Sequence, residues 1–198
     1  MKKRAISILI WAGAAAVMAR ANPITFTIST IATGTIGSTP FTNALVTFTQ
    51  VTDTSNVGTQ FCGANLPCAK TQTGNTITIA GIGTASLTGS SFFFDSQTTD
   101  VIGLNLLGSG DILDEENAAF GTFNMVSNIG PDSGTTTTGL TINNLATSDG
   151  AFSATYSSAT TFQATVTSST VPEPGALGLV LAGAIPIGFR LLRRRAAR

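Results

Sequence analysis

The sequence predicts an all-β protein, a single antiparallel β-sandwich occupying residues 22–170 with a short apolar segment at each end of the chain. Three observations lead there. Apolar and hydroxylated residues alternate with a period of two in several short runs, as they do on strands with one buried and one wet face. Clusters of Gly, Pro, Asp and Ser punctuate these runs at the spacing of hairpin-connected strands. Thr and Ser make up 49 of the 149 residues of this body, yet eleven phenylalanines are spread through it. That much large apolar side chain can build a core, which sets the chain apart from a disordered Thr/Ser-rich linker.

The elements follow in order. In residues 24–28, Ile24, Phe26 and Ile28 oppose Thr25 and Thr27, and residues 34–40 read as a turn. Ala44, Val46 and Phe48 share a face against Thr47 and Thr49, and Ile77 and Ile79 oppose Thr76 and Thr78. Turn signals recur at Gly81 and Gly83, at Gly108 and Gly110, and from Pro131 to Gly134. A single helical turn is expected at residues 115–119, and the threonine run 135–138 reads as a loop. Residues 152–156 and 161–167 read as two strands of a closing hairpin, the latter with Phe162, Ala164 and Val166 on one face. Threonine is β-branched and suits the solvent face of a sheet. Roughly ten strands of this kind fit a sandwich of jelly-roll-like or immunoglobulin-like arrangement.

The chemistry available to the body is narrow. Formal net charge is zero over the whole chain, but residues 22–170 hold one base, Lys70, against nine acids. Such a body offers no footprint for a nucleic-acid backbone, so no nucleic-acid partner is expected. Histidine is absent, which removes the commonest general base and the usual activator of a nucleophilic Ser or Cys. Two-carboxylate glycoside hydrolysis needs only Asp or Glu, but the body has no tryptophan to serve as a sugar platform. The expectation is a non-catalytic protein with no cofactor. Cys62 and Cys68 are the only cysteines; in an exported chain this pair reads as a small disulfide staple, since zinc would want four ligands. The densest polar cluster, Asp111, Asp114, Glu115 and Glu116, supplies hard oxygen ligands of the type calcium takes. Its spacing does not match the EF-hand loop, and a solvated acidic loop is the alternative.

Both ends carry targeting patterns. Lys2, Lys3 and Arg4 precede an apolar run and then Ala19, Arg20 and Ala21. This is the order of a secretory signal peptide, residues 1–21, cleaved after Ala21. At the other end, Val171, Pro172, Glu173 and Pro174 precede fifteen uncharged residues, 175–189, and then Arg190, Arg193, Arg194 and Arg195. As a helix the run is about 22 Å long at 1.5 Å per residue. That is short for a hydrocarbon core of about 30 Å, which it spans by including Leu191 and Leu192 with Arg190 snorkelling. Pro186 would kink it, and the arginines behind it would remain cytoplasmic.

The succession of Val-Pro-Glu-Pro, short apolar helix and basic cluster in residues 171–198 resembles the PEP-CTERM sorting signal of exported Gram-negative bacterial proteins. The Thr-rich segment "FTNALVTFTQVTDTSNV" is similar, more loosely, to the bodies of such proteins. The resemblance implies that exosortase, a membrane-embedded cysteine transpeptidase-like enzyme, recognises Pro172, Glu173 and Pro174. It implies an inner-membrane stay that is transient, in a bacterium that makes exopolysaccharide. The function expected is that of an exported surface or extracellular-matrix protein. The alternative is an adhesion module that binds exopolysaccharide or a neighbouring cell.

Overall fold

The alternation that begins at Ile24 continues far beyond its first five residues, and the first strand, β1, spans Pro23–Ile36. Ile24, Phe26, Ile28, Ala32 and Ile36 are buried along one face of it. The structure, a computed structural model, describes residues 22–137 and 140–167. The expected signal peptide with Ala19 and Ala21 lies outside the described residues. So does the segment 171–198 with Val171, Pro172, Glu173, Pro174, Arg190, Arg193, Arg194 and Arg195. Among the described residues no helix is long and apolar enough to cross a membrane.

Among the described residues twelve strands form one antiparallel sheet. After β1 come β2 (Thr39–Asp53), β3 (Val57–Gly58), β4 (Cys68–Ala69), β5 (Thr76–Ile79) and β6 (Gly83–Ser86). Then follow β7 (Ser91–Ser96), β8 (Val101–Leu106), β9 (Gly110–Glu116), β10 (Ile129–Thr135), β11 (Thr141–Thr147) and β12 (Gly150–Val166). Their spatial order is β3-β4-β7-β8-β9-β10-β12-β1-β2-β5-β6, with β11 also on β12. The sheet curls so that its halves face each other. Phe93 on β7 meets Phe26 on β1 and Phe162 on β12, with ring centroids 5.6 and 6.0 Å apart. Phe120 and Phe123 add edge-on contacts to Phe162 at 5.6 and 6.2 Å, the geometry that aromatic quadrupoles prefer.

Buried amides close one side of the curl. Phe93 N donates to Gln50 Oε1 on β2 at 2.9 Å. Asn75 Nδ2 donates to Ser91 Oγ at 2.8 Å, and Gln72 bridges Ser91 through both backbone bonds. On the opposite side, β9 and β10 join through one ladder pair, Glu116 with Thr135.

Several sequence expectations change. The antiparallel all-β body takes the form of one curled sheet, whose path through β9 and β10 is unbroken. Residues 152–156 and 161–166 belong to one strand, β12, and not to a hairpin, and Thr167 follows it. The intervening residues 157–159 form a bulge opposite Ile31, so the buried phase of Phe152, Ala154 and Tyr156 resumes at Thr160 and Phe162 without a chain reversal. Pro131 to Gly134 lies inside β10 and is not a turn; the register with β12 shifts between Ile129 and Asp132, a bulge of the kind that admits proline within a sheet. The helical turn falls three residues later, at Ala118–Thr122, with Asn117 Oδ1 accepting from Ala119 N.

The core predicts its own weak point. Phe162 is fully buried and touches four other rings. Phe162→Ala should cost about 4 kcal/mol in urea unfolding, by lost transfer energy and the cavity left behind. Leu107→Ala, at a side chain 65% exposed, should change stability by less than about 0.5 kcal/mol.

Candidate functional site

The acidic cluster lies on strand β9 and not on a loop, so alternation divides it. The register with β8 slips between Leu104 and Asn105, leaving Ile112 as an extra residue. This bulge moves Asp111 onto the same face as Asp114 and Glu116, while Leu113 and Glu115 point to the interior. On the outer face, the register sets Phe94, Gly103 and Asp114 side by side, and likewise Ser96, Val101 and Glu116.

These rows floor an open groove of about 550 Å³. Phe94, Val101 and Leu66 supply its apolar surface, Asp111, Asp114 and Glu116 its acids, and Ser96, Thr99 and Thr137 its hydroxyls. Gly103 is required for the floor, since a Cβ there would stand 2.8 Å from Asp114 Cβ and 3.0 Å from the Phe94 ring. Leu66 comes from the loop between Cys62 and Cys68, which form the disulfide expected of them, with Cα atoms 6.0 Å apart. The disulfide and the acids, which sequence alone could not relate, thus converge on one groove.

Asp114 joins the groove to the seam between β9 and β10. Only 2% exposed, its carboxyl group accepts from Thr136 Oγ1 at 2.7 Å, Thr137 N at 2.8 Å and Thr137 Oγ1 at 2.7 Å. The threonine run expected to be a free loop therefore begins by clamping Asp114. Asp111 accepts from Asn105 Nδ2 at 2.7 Å. The four acids do not assemble into a calcium site: Glu115 faces away, Asp114 is occupied by protein donors, and no group of three or more His, Cys, Asp or Glu among the described residues could hold a metal ion.

Asp95 and Glu115 lie on the inner face, opposite Ile102 from either side. Both are fully buried, and all four of their carboxyl oxygens lack a hydrogen-bond partner. Burial, reinforced by the negative charge of Asp100, pushes Asp95 up to about 8. Glu115 is pushed up to about 7, chiefly by burial and further by Asp132. Thr160 and the Phe162 backbone partly offset this, although neither meets hydrogen-bond geometry with the carboxyl group. The buried Tyr156 hydroxyl is also unpartnered, and burial raises its pKa as well. Nothing in the sequence marks Asp95 as interior except its place two residues after Phe93.

The clamp should be measurable apart from the acids around it. Asp114→Ala strands two threonine hydroxyls and one amide, and should lower unfolding stability by about 3 kcal/mol. Asp111→Ala, at an exposed position, should cost less than about 1 kcal/mol by the same denaturant assay. No protein-family model, curated protein or solved structure matches this chain.

Proposed function

We propose that the chain is an exported, non-catalytic surface or extracellular-matrix protein whose C-terminal segment is a sorting signal for exosortase. The observation that carries this is the order of the last residues: Val171, Pro172, Glu173 and Pro174, a fifteen-residue uncharged run, then Arg190, Arg193, Arg194 and Arg195. Each proline fixes its own φ and biases the residue before it towards extended backbone, so the motif meets a protease-like enzyme as a stiff strand. The apolar run, short and interrupted by Pro186, acts as a temporary stop-transfer helix with its arginines in the cytoplasm. A signal peptide ending at Ala21 starts the export. The Cys62–Cys68 disulfide supports delivery to an oxidising compartment. In the same proposal, the curled sheet is the sandwich body, jelly-roll-like or immunoglobulin-like, that remains outside the membrane.

The groove favours a second function, binding of exopolysaccharide. A partly buried phenyl ring beside carboxyl and hydroxyl groups offers an apolar face for a sugar ring and acceptors for its hydroxyls. With Asp114 occupied by Thr136 and Thr137, the arrangement supports holding a saccharide over hydrolysing one.

Two measurements test these functions separately. Replacing Pro172, Glu173 and Pro174 with alanine leaves the hydrophobic run and arginines intact, so membrane insertion should persist while maturation stops. Fractionation in the native host should then find full-length protein in the inner membrane; equal size and location for wild type and variant would make the tail an ordinary anchor. For the second, affinity electrophoresis in gels containing the host's purified exopolysaccharide should retard the wild type. Phe94→Ala should weaken that retardation roughly tenfold, in line with about 1–3 kcal/mol for an aromatic stacking contact. A wild type that runs unretarded would remove the binding function.

A further inference from the structure

One of the buried carboxyl groups lies beside a joint that has a single ladder pair. Glu115 projects inward beside the β9–β10 seam, where Gly134 leaves room for it: a Cβ at Gly134 would stand 2.7 Å from Glu115 Cγ and closer still to the Glu116 carbonyl. β10 pairs with β12 at five positions, Ile129, Asp132, Ser133, Gly134 and Thr135. With β9 it pairs at one. We propose that the β9–β10 seam is a pH-sensitive joint, closed while the Glu115 carboxyl group is protonated and parted when it ionises, so that the groove outside it changes width.

Around Glu115 no base faces the carboxyl group, and Thr160 and the Phe162 backbone favour its anion only in part. β10 contributes Asp132, itself acidic. β12 contributes Thr160 and Phe162, and β8 contributes Ile102, beyond which lie Asp95 on β7 and Asp100 in the following turn. The turn Ala118–Thr122 has no titratable side chain. Lys70, the only base among the described residues, is exposed. An ionised carboxylate without partners cannot stay dry, because burying it unpaired costs several kcal/mol. Water must reach it, and in this proposal it enters beside the single ladder pair between Glu116 and Thr135. The remaining links across the seam there are the Asn117 Nδ2 bond to the Ser133 carbonyl and the Asp114 clamp.

The sign follows from linkage. A group whose folded pKa is raised stabilises the closed form fully below its unfolded value, here 4.5, and loses that contribution as pH climbs towards about 7. The seam therefore closes in acid and loosens through neutrality. Asp95 titrates in the same direction but lies on β7, two strands from β9 across β8 and away from the seam, and contributes to general stability and not to the joint.

Amide hydrogen exchange on the full-length chain, read by mass spectrometry and expressed as protection factors at pH 5 and pH 8, tests the joint. Peptides covering residues 112–117 and 131–137 should lose protection at least about tenfold at pH 8, while peptides covering residues 44–50 of β2 change less than about threefold. Glu115→Gln should abolish the difference, and Asp95→Asn should preserve it. Should the glutamine variant fail to fold, the wild-type comparison between seam and β2 still decides. Equal loss in both regions, an unchanged seam, or abolition of the response by Asp95→Asn would each overturn the proposal.

Discussion

A single sheet with one apolar face has no second layer to bury it against, so it must cover that face with itself. The other features of this fold follow from that constraint. The meeting of Phe26, Phe93 and Phe162 is the point at which the two halves of the sheet touch. A twisted sheet can curl far enough for this, but curling brings together backbone edges that the ladders leave unpaired, and each edge has to be satisfied. On one side neutral amides do it: Gln50, Gln72 and Asn75 reach backbone or hydroxyl groups across the gap and are themselves satisfied. On the other side a carboxyl group, Asp114, grips the residues that leave β10. Neutral amides make one closure and an acidic side chain the other, so the two differ in kind.

Asp114 and Glu115 show how little residue type decides alone. They are neighbours with nearly the same chemistry, yet the pleat sends one to three donors and the other into the core with none. Composition records both as acids in a polar cluster. The two face opposite ways by alternation, and which of them faces inward is set by the register of β9 with β8, a partner strand that local sequence does not name.

That contrast also marks what was legible. Strands with uninterrupted alternation, such as Ile24 to Ile28 or Ile77 and Ile79, were readable because each buried position lies two residues from the next. So was the disulfide, which needs only two cysteines at close range. Strand lengths and partners were not, since they depend on pairings between residues far apart in the chain. Pro131 looked like a turn because nothing nearby indicates that β12 runs alongside it, and Ser157 to Ala159 looked like a gap between strands because the bulge they form is defined only against β1. The groove was invisible for the same reason: Leu66, Phe94, Asp114 and Thr137 come from four separate stretches of chain.

The pairing of Ile24 with Val166 and of Ile36 with Phe152 joins the earliest part of the body to its latest. A ribosome releases β1 long before it makes β12. In that interval β1 and β2 can form their hairpin, but β1 shows a bare edge and Phe26 has no Phe162 to lie against. Bare edges of this kind recruit other chains, and closure between such distant segments is slow. The final strand is also no peripheral addition, since it lies in the middle of the sheet with β1, β10 and β11 all paired to it. A nascent chain that stops just before Gly150 lacks the strand that links the two halves of the molecule, and is left as two fragments of sheet, each with its apolar face open.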